Sequence, residues 1–183
     1  MYTFCVIYIL QHGVTEWNVE DIYQGLKSSS FTERGRAQIR KAAKFFTDKN
    51  IEKIFCSPLE RAIQTAEVVA QAIGLEIEII PSFYEIDCGD FEGKSRQVYK
   101  KGKELESKFP GGESFADVYK RVERDVERLV SINKNILIVG HGGTNRMIAS
   151  IITNTPFYEI EKQKHTKVIC CEKNSRIIYI PVV

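Results

Sequence analysis

Short apolar runs alternate with longer amphipathic stretches along this chain. The runs at 3–10, 53–56, 76–80 and 135–139 are rich in Ile and Val and have the length of strands. Some are continuously apolar, as strands buried on both faces of a parallel sheet tend to be. Between them, the periodicity predicts helices over 32–48, 58–73 and 115–132. The segment 58–73 carries its own punctuation: Ser57 is placed to cap, Pro58 stands at the first helical position, Glu60 completes an S-x-x-E box, and Gly74 follows as a stop. In 115–132, Phe115, Val118, Val122, Val126, Leu129 and Val130 form one stripe that should face a sheet. Strands alternating with helices of this length predict an α/β fold, a three-layer α/β/α sandwich with a mainly parallel central sheet. The runs 167–171 and 177–180 would close it as a final hairpin.

No repeat, low-complexity tract or Pro/Gly-rich linker interrupts the 183 residues, so the expectation is a single domain over 1–183. With 43% hydrophobic and 27% charged residues the composition is that of a globular protein. Lys and Arg number 26 against 24 Asp and Glu, and a net charge of +2 gives no long-range field for gathering nucleic acid or anionic lipid. Neither is expected as a partner, and any anion specificity must be local. The five cysteines are odd in number, lack CxxC spacing and in part lie within strand-like runs, which predicts buried reduced thiols. The run 3–10 lacks a basic leader and a small-residue cleavage site and leads directly into His12, so it is not expected to be a signal peptide. No stretch approaches the ~20 apolar residues that span a bilayer, and the expected location is cytoplasmic. The sequence carries no signal for oligomeric state.

Two places repeat one local design. Tyr8 to Gly13 and Ile136 to Gly143 each put a His-Gly, His12-Gly13 and His141-Gly142, at the C-terminal end of an apolar strand. In open α/β sheets, ligands bind at that edge, where helix N-termini and loop amides favour anions. With only three histidines in the chain, two so placed suggest one shared anion site. Ser57-Pro-Leu-Glu-Arg61 puts a guanidinium on the first turn of a helix, and its rigid fork matches phosphate oxygens. In isolation Arg61 reads equally well as a solvated residue paired with Glu60 or Asp48. A glycine-punctuated loop, Phe83 to Gly93, supplies Glu85, Asp87 and Glu92, of which one could act as a general acid.

These residues resemble the histidine phosphatase superfamily, which includes the cofactor-dependent phosphoglycerate mutases. The family's R-H-G followed by T-x-x-N corresponds to Gln11-His12-Gly13 and Thr15 to Asn18, and S-P-L-x-R-A-x-Q-T-A to Ser57 through Ala66. Further along, G-x-F-E-G matches Gly89 to Gly93, P-G-G-E-S matches Pro110 to Ser114, and H-G-G-x-x-R matches His141 to Arg146. The resemblance implies a phosphoglycerate mutase-like fold and assigns His12 as the nucleophile that becomes phosphohistidine. By the same resemblance Arg61 and His141 bind phosphoryl oxygens, and Glu85 protonates the leaving oxygen and then activates water. Gln11, Asn18, Gln24, Gly25 and Gly142 would complete the substrate-binding set, with Asn18 adding a hydrogen bond. No metal and no cofactor is implied. Asp87 is a weaker choice of acid than Glu85, and Glu92 reads as mainly structural.

The chain departs from the pattern at Gln11, where the family usually has arginine, at Tyr84, where many members have arginine, and at Lys27 to Ser30, where an acidic residue usually precedes the helix. Gln can donate a hydrogen bond to phosphate but lacks the charge and the fork, and one charge-assisted bond is worth roughly 1.5–3 kcal/mol. Lys27, on the loop after the nucleophile, would restore part of that charge. The favoured reading is a phosphomonoesterase acting on a small phosphorylated metabolite. The alternatives are a catalytically impaired phospholigand-binding or regulatory member, supported by Gln11, and a phosphoglycerate mutase, disfavoured because the chain lacks long insertions over its site. The basic segment Lys94, Arg96, Lys100, Lys101 and Lys103 reads as a solvated helix face, with steering of an acidic substrate as the other option.

Overall fold

The computed structural model describes residues 5–100, 102, 104–163, 165, 167–172 and 177–181. Four parallel strands form the heart of the sheet: β1 (Val6–Gln11), β2 (Lys53–Cys56), β3 (Ile77–Ile79) and β4 (Ile136–Gly140). Two further strands, β5 (Lys167–Glu172) and β6 (Ile177–Pro181), extend it antiparallel, giving six strands in the order β3-β2-β4-β1-β5-β6. The mainly parallel sheet and the closing hairpin are thus as the periodicity predicted. Residues 3 and 4 of the first predicted strand lie outside the described residues.

The helices are α1 (Glu16–Val19), α2 (Glu33–Phe46), α3 (Glu60–Ile73), α4 (Phe115–Ser131) and α5 (Gly142–Thr153), the first and last not foreseen from the sequence. Alternate residues of β4 go to opposite faces, as the pleat of a strand requires. Leu137 and Val139 join Ala42, Phe46, Ala62 and Val69 of α2 and α3 on one face. Ile136 and Ile138 join Val118, Val122 and Ile148 of α4 and α5 on the other. These two apolar layers make the three-layer sandwich, and the stripe on α4 does face the sheet, with Val118, Val122 and Val126 fully buried.

The punctuation of α3 is only half as expected. Gly74 ends the helix in the left-handed conformation, with φ +70°. The start differs: the helix begins at Glu60 after Leu59, and the Glu60 carboxylate accepts from Gln64 (2.9 Å) rather than closing a box. The hydroxyl of Ser57 accepts from the Leu59 amide (3.2 Å), one residue before the helix, and is also bonded to His141 (2.7 Å). The basic segment is also different from expectation. Residues 94–100 form turns and a bridge rather than a helix, with Arg96 beside Asp21 (3.6 Å); Lys101 and Lys103 lie outside the described residues. Four cysteines are buried and Cys5 partly so, and none of the five is in a disulfide. No helix among the described residues is long and apolar enough to cross a membrane.

Candidate active site

Strand order and register assemble the site. Gln11 of β1 lies opposite Gly140 of β4, and the His12 amide donates to the Gly140 carbonyl (3.0 Å), so His12 and His141 leave adjacent parallel strands at one level. β2 flanks β4 on its other side, and the Ser57 amide donates to the Val139 carbonyl (3.0 Å), placing Ser57 next in the row. The His12 and His141 ring centroids are 5.3 Å apart.

His12 is 3% exposed and held at both ring nitrogens. Nδ1 lies 2.8 Å from the Gly13 carbonyl oxygen. A carbonyl only accepts, so the proton is on Nδ1 and the lone pair is on Nε2. That lone pair accepts from Nε of Arg61 (3.2 Å). Burial, then the Arg61 charge and His165, hold His12 well below the ordinary histidine value, against the opposing hydrogen bond to Gly13. The imidazole is therefore neutral near pH 7, the form in which a histidine can act as a nucleophile. His141 is fully buried and likewise held well below the ordinary value, by burial first and then by Arg61 and His12.

Arg61 is 2% exposed and not solvated as its isolated reading would have it. Its Nη2 donates to the Gly25 carbonyl (2.7 Å), and its Nη1 to the Lys27 carbonyl (2.5 Å) and Ser28 Oγ (3.2 Å). Burial lowers its pKa to about 10, with Glu85 and Glu92 pulling upward, so it remains a cation at neutral pH. The loop 24–28 is pinned where it bends: Glu92 accepts from the Leu26 amide (2.6 Å), and a Cβ at Gly25, where φ is +52°, would meet the Glu92 carboxylate at 2.0 Å. Lys27 brings its carbonyl to Arg61 while its side chain is exposed.

Glu85 lies beyond β3 and reaches over to the first turn of α5, accepting from the Gly143 (3.1 Å) and Thr144 (3.0 Å) amides. A carboxylate at a helix N-terminus sits in a favourable field. Asn18 and Gln24 are engaged with Thr15: Asn18 Oδ1 accepts from the Thr15 amide (3.1 Å), closing the capping box of α1, and Gln24 donates to the Thr15 hydroxyl (2.9 Å). Asp87 caps the turn at Gly89 (2.7 Å). The Gln11 amide lies against Gly142, where an added Cβ would sit 3.3 Å from Nε2.

Buried side-chain polar atoms rarely lack a partner. Among the described residues those that do are Gln11 Oε1, Gln24 Oε1 and His141 Nδ1, all from residues expected at the site. No cluster of three or more His, Cys, Asp or Glu with metal-binding geometry occurs among the described residues.

Sequence reasoning missed several supporting side chains. Asn145 accepts from the His141 amide (3.1 Å) and donates to the Leu10 carbonyl (3.2 Å), tying the two strand ends together. Thr65 takes the Gly13 amide (3.2 Å). His165 lies 5.3 Å from His12, centroid to centroid. Its signal is topological: β5 runs antiparallel to β1 with Ile169 opposite Ile9, so the residues before β5 return to the level of His12.

The histidine phosphatase superfamily (branch 1) model matches residues 7–173. Phosphoserine phosphatase 1 of Hydrogenobacter thermophilus is 32% identical over 145 residues, 73% of this chain and 69% of that protein. A probable phosphoglycerate mutase of an Enterobacter species is 30% identical over 165 residues, 83% of this chain and 76% of that one. The fold superposes on mycobacterial glucosyl-3-phosphoglycerate phosphatase in complex with VO3 with a TM-score of 0.86, at 22% identity over 97% of this chain and 98% of that chain. The chain therefore belongs to the histidine phosphatase superfamily, branch 1, and is a phosphoric monoester hydrolase with the phosphoglycerate mutase-like fold.

Proposed function

We propose that the chain hydrolyses a small phosphorylated metabolite without a metal ion, through a phosphohistidine on His12. The observation that carries this reading is the Arg61–His12 pair: a buried neutral imidazole whose Nδ1 proton is fixed on Gly13 and whose Nε2 lone pair faces a guanidinium. In the first step the substrate's phosphoryl oxygens take over the Arg61 Nε–H, freeing Nε2 to attack phosphorus. The P–N bond forms as the P–O bond to the leaving group breaks, and Glu85 gives that oxygen its proton. In the second step Glu85 takes a proton from water, the water oxygen attacks phosphorus, the P–N bond breaks, and inorganic phosphate leaves with His12 regenerated. The unpartnered Nδ1 of His141 is assigned to a phosphoryl oxygen, and charge neutralisation by Arg61 supplies much of the rate. Gln11, Gly142, Asn18, Gln24 and Gly25 are assigned to substrate binding, the last through the loop that holds Arg61.

A second reading, a phospholigand-binding protein with little turnover, is favoured by Gln11 and by the protein acceptors that already occupy all three Arg61 nitrogens. Phosphate release from a panel of small phosphomonoesters, with chelator present, separates the two. Release that vanishes in His12→Ala is the expected result, and Gln11→Arg should raise it about ten- to a hundredfold. Release undiminished in His12→Ala would exclude the phosphohistidine. No release from the unaltered chain, with activity in Gln11→Arg, would select the binding protein.

A further inference from the structure

The least explained group at the site is His165, and its hydrogen bonds define its state. Nδ1 lies 2.7 Å from the His12 carbonyl oxygen, so it carries the proton; Nε2 of the neutral ring is then a lone pair. The Gln11 Nε2 amide, 3.2 Å away, must donate to it. This fixes the amide with Oε1 at the other end, buried and without a partner. An orphaned acceptor is the wrong group to offer an anion. One proton reverses the arrangement. With Nε2 of His165 protonated, both ring nitrogens donate. The Gln11 amide then turns over, its oxygen accepts from His165, and its NH2 takes the place of the orphaned oxygen.

We propose that His165 is a proton-linked positioning residue: binding of a phosphoryl dianion beside His12 draws a proton onto His165, and the Gln11 amide turns over to present its NH2 to the anion. The pair thereby supplies the donor and the charge that a single arginine would bring at position 11. The inference rests on the reading that the anion binds beside His12.

Among the described residues, the titratable and charged groups that act on the His165 ring are His12 at the end of β1 and Arg34 on α2. The small cavity it lines with α2 and α3 is otherwise bounded by uncharged residues, among them Gln38, Ile39 and Thr65. On its own segment, Lys167 faces Glu161 (3.9 Å). Burial lowers the His165 pKa, the bond to the His12 carbonyl opposes this, and Arg34 lowers it further, so the free ring is neutral near pH 7. An arriving dianion acts in the opposite direction, and by reciprocity protonation of His165 tightens the anion.

Sulfate is a suitable probe because its charge is constant between about pH 5 and about pH 8, where histidine titrates. The imidazole resonances of the full chain, assigned with His165→Asn, are followed through this range with and without sulfate, and sulfate affinity is measured at both ends by calorimetry. The expected result is a His165 pKa raised by about one unit at saturating sulfate, with sulfate binding about tenfold tighter at the acid end. His165→Asn should lose that tenfold. A His165 titration unmoved by sulfate, a full pH dependence retained in His165→Asn, or no sulfate binding at the acid end would each overturn the proposal. The phosphohistidine reading fails on a different result, release that survives His12→Ala.

Discussion

Acid should unfold this protein through its histidines before its carboxylates titrate. His12 and His141 are buried, neutral and held well below the ordinary histidine value, and His165 is lowered as well. In the unfolded chain all titrate near the usual value of about 6.5. Below that pH the unfolded state binds more protons than the folded one, so stability falls as pH falls and is regained above it. A histidine that stays neutral when folded removes about 1.4 kcal/mol between about pH 7.5 and about pH 5.5. His12 and His141 together remove about 2.7 kcal/mol, and the less shifted His165 a part of the same amount, for a total of about 3–4 kcal/mol. That is a large share of the 5–15 kcal/mol that holds a typical domain folded. Asp117, whose carboxyl is held low chiefly by the Ser114 amide and hydroxyl, loses its contribution only at much lower pH, outside this window. Urea unfolding at the two pH values, in buffer free of phosphate and sulfate, measures the difference. His12→Asn or His141→Asn should each shrink it by about 1.4 kcal/mol. A stability unchanged across the window, or a loss that both variants retain in full, would refute the claim that these rings are buried neutral.

Other substitutions test the frame around the site. Ser57→Ala removes the partner of His141 Nε2 (2.7 Å) and leaves a buried nitrogen unpaired, at an expected cost of about 1–3 kcal/mol in urea unfolding and about tenfold or more in phosphate release. Gly35→Ala should destabilise by about 1–3 kcal/mol and lower activity, because its Cβ would meet the Val14 carbonyl at 2.0 Å, backbone that belongs to the loop after His12; a melting temperature equal to that of the parent would contradict this. Lys27→Ala should leave phosphate affinity within about twofold, since the residue reaches Arg61 through its carbonyl and an exposed ammonium is screened; a tenfold loss would instead return Lys27 to the role of substitute charge.

What was legible in the sequence is what local pattern controls. The apolar runs within 53–56 and 135–139 became β2 and β4, and the stripe from Val118 to Leu129 became the sheet-facing side of α4. The paired His-Gly steps were informative because each marks the end of a parallel strand, and adjacency of those strands then follows from the fold. What could not be read depends on tertiary competition for hydrogen bonds. Ser57 does offer its hydroxyl to a backbone amide, that of Leu59, but the same hydroxyl is shared with a buried imidazole from another strand, which no local pattern announces. Nothing near His165 announces it, because its place is set by the antiparallel register of a strand that pairs with β1 across the whole chain. α5 went unpredicted for a related reason: its first turn, Gly142-Gly143, has poor helix propensity, and the Glu85 carboxylate on its amides comes from a distant loop.

The Arg61–His12 contact also bears on how the proposed reaction would begin. On the proposed phosphohistidine reading, the Arg61 contact masks the His12 lone pair that would attack phosphorus. A phosphoryl group can displace that contact because its oxygens are better acceptors for a guanidinium than a neutral imidazole, and charge-assisted pairing favours the exchange. Binding and unmasking are then the same event, and a neutral ligand of similar shape should do neither. In the proposed exchange the acceptors behind Arg61, the carbonyls of Gly25 and Lys27, would keep the fork oriented. Only Nε need change partner, which limits the reorganisation needed to bring His12 into play.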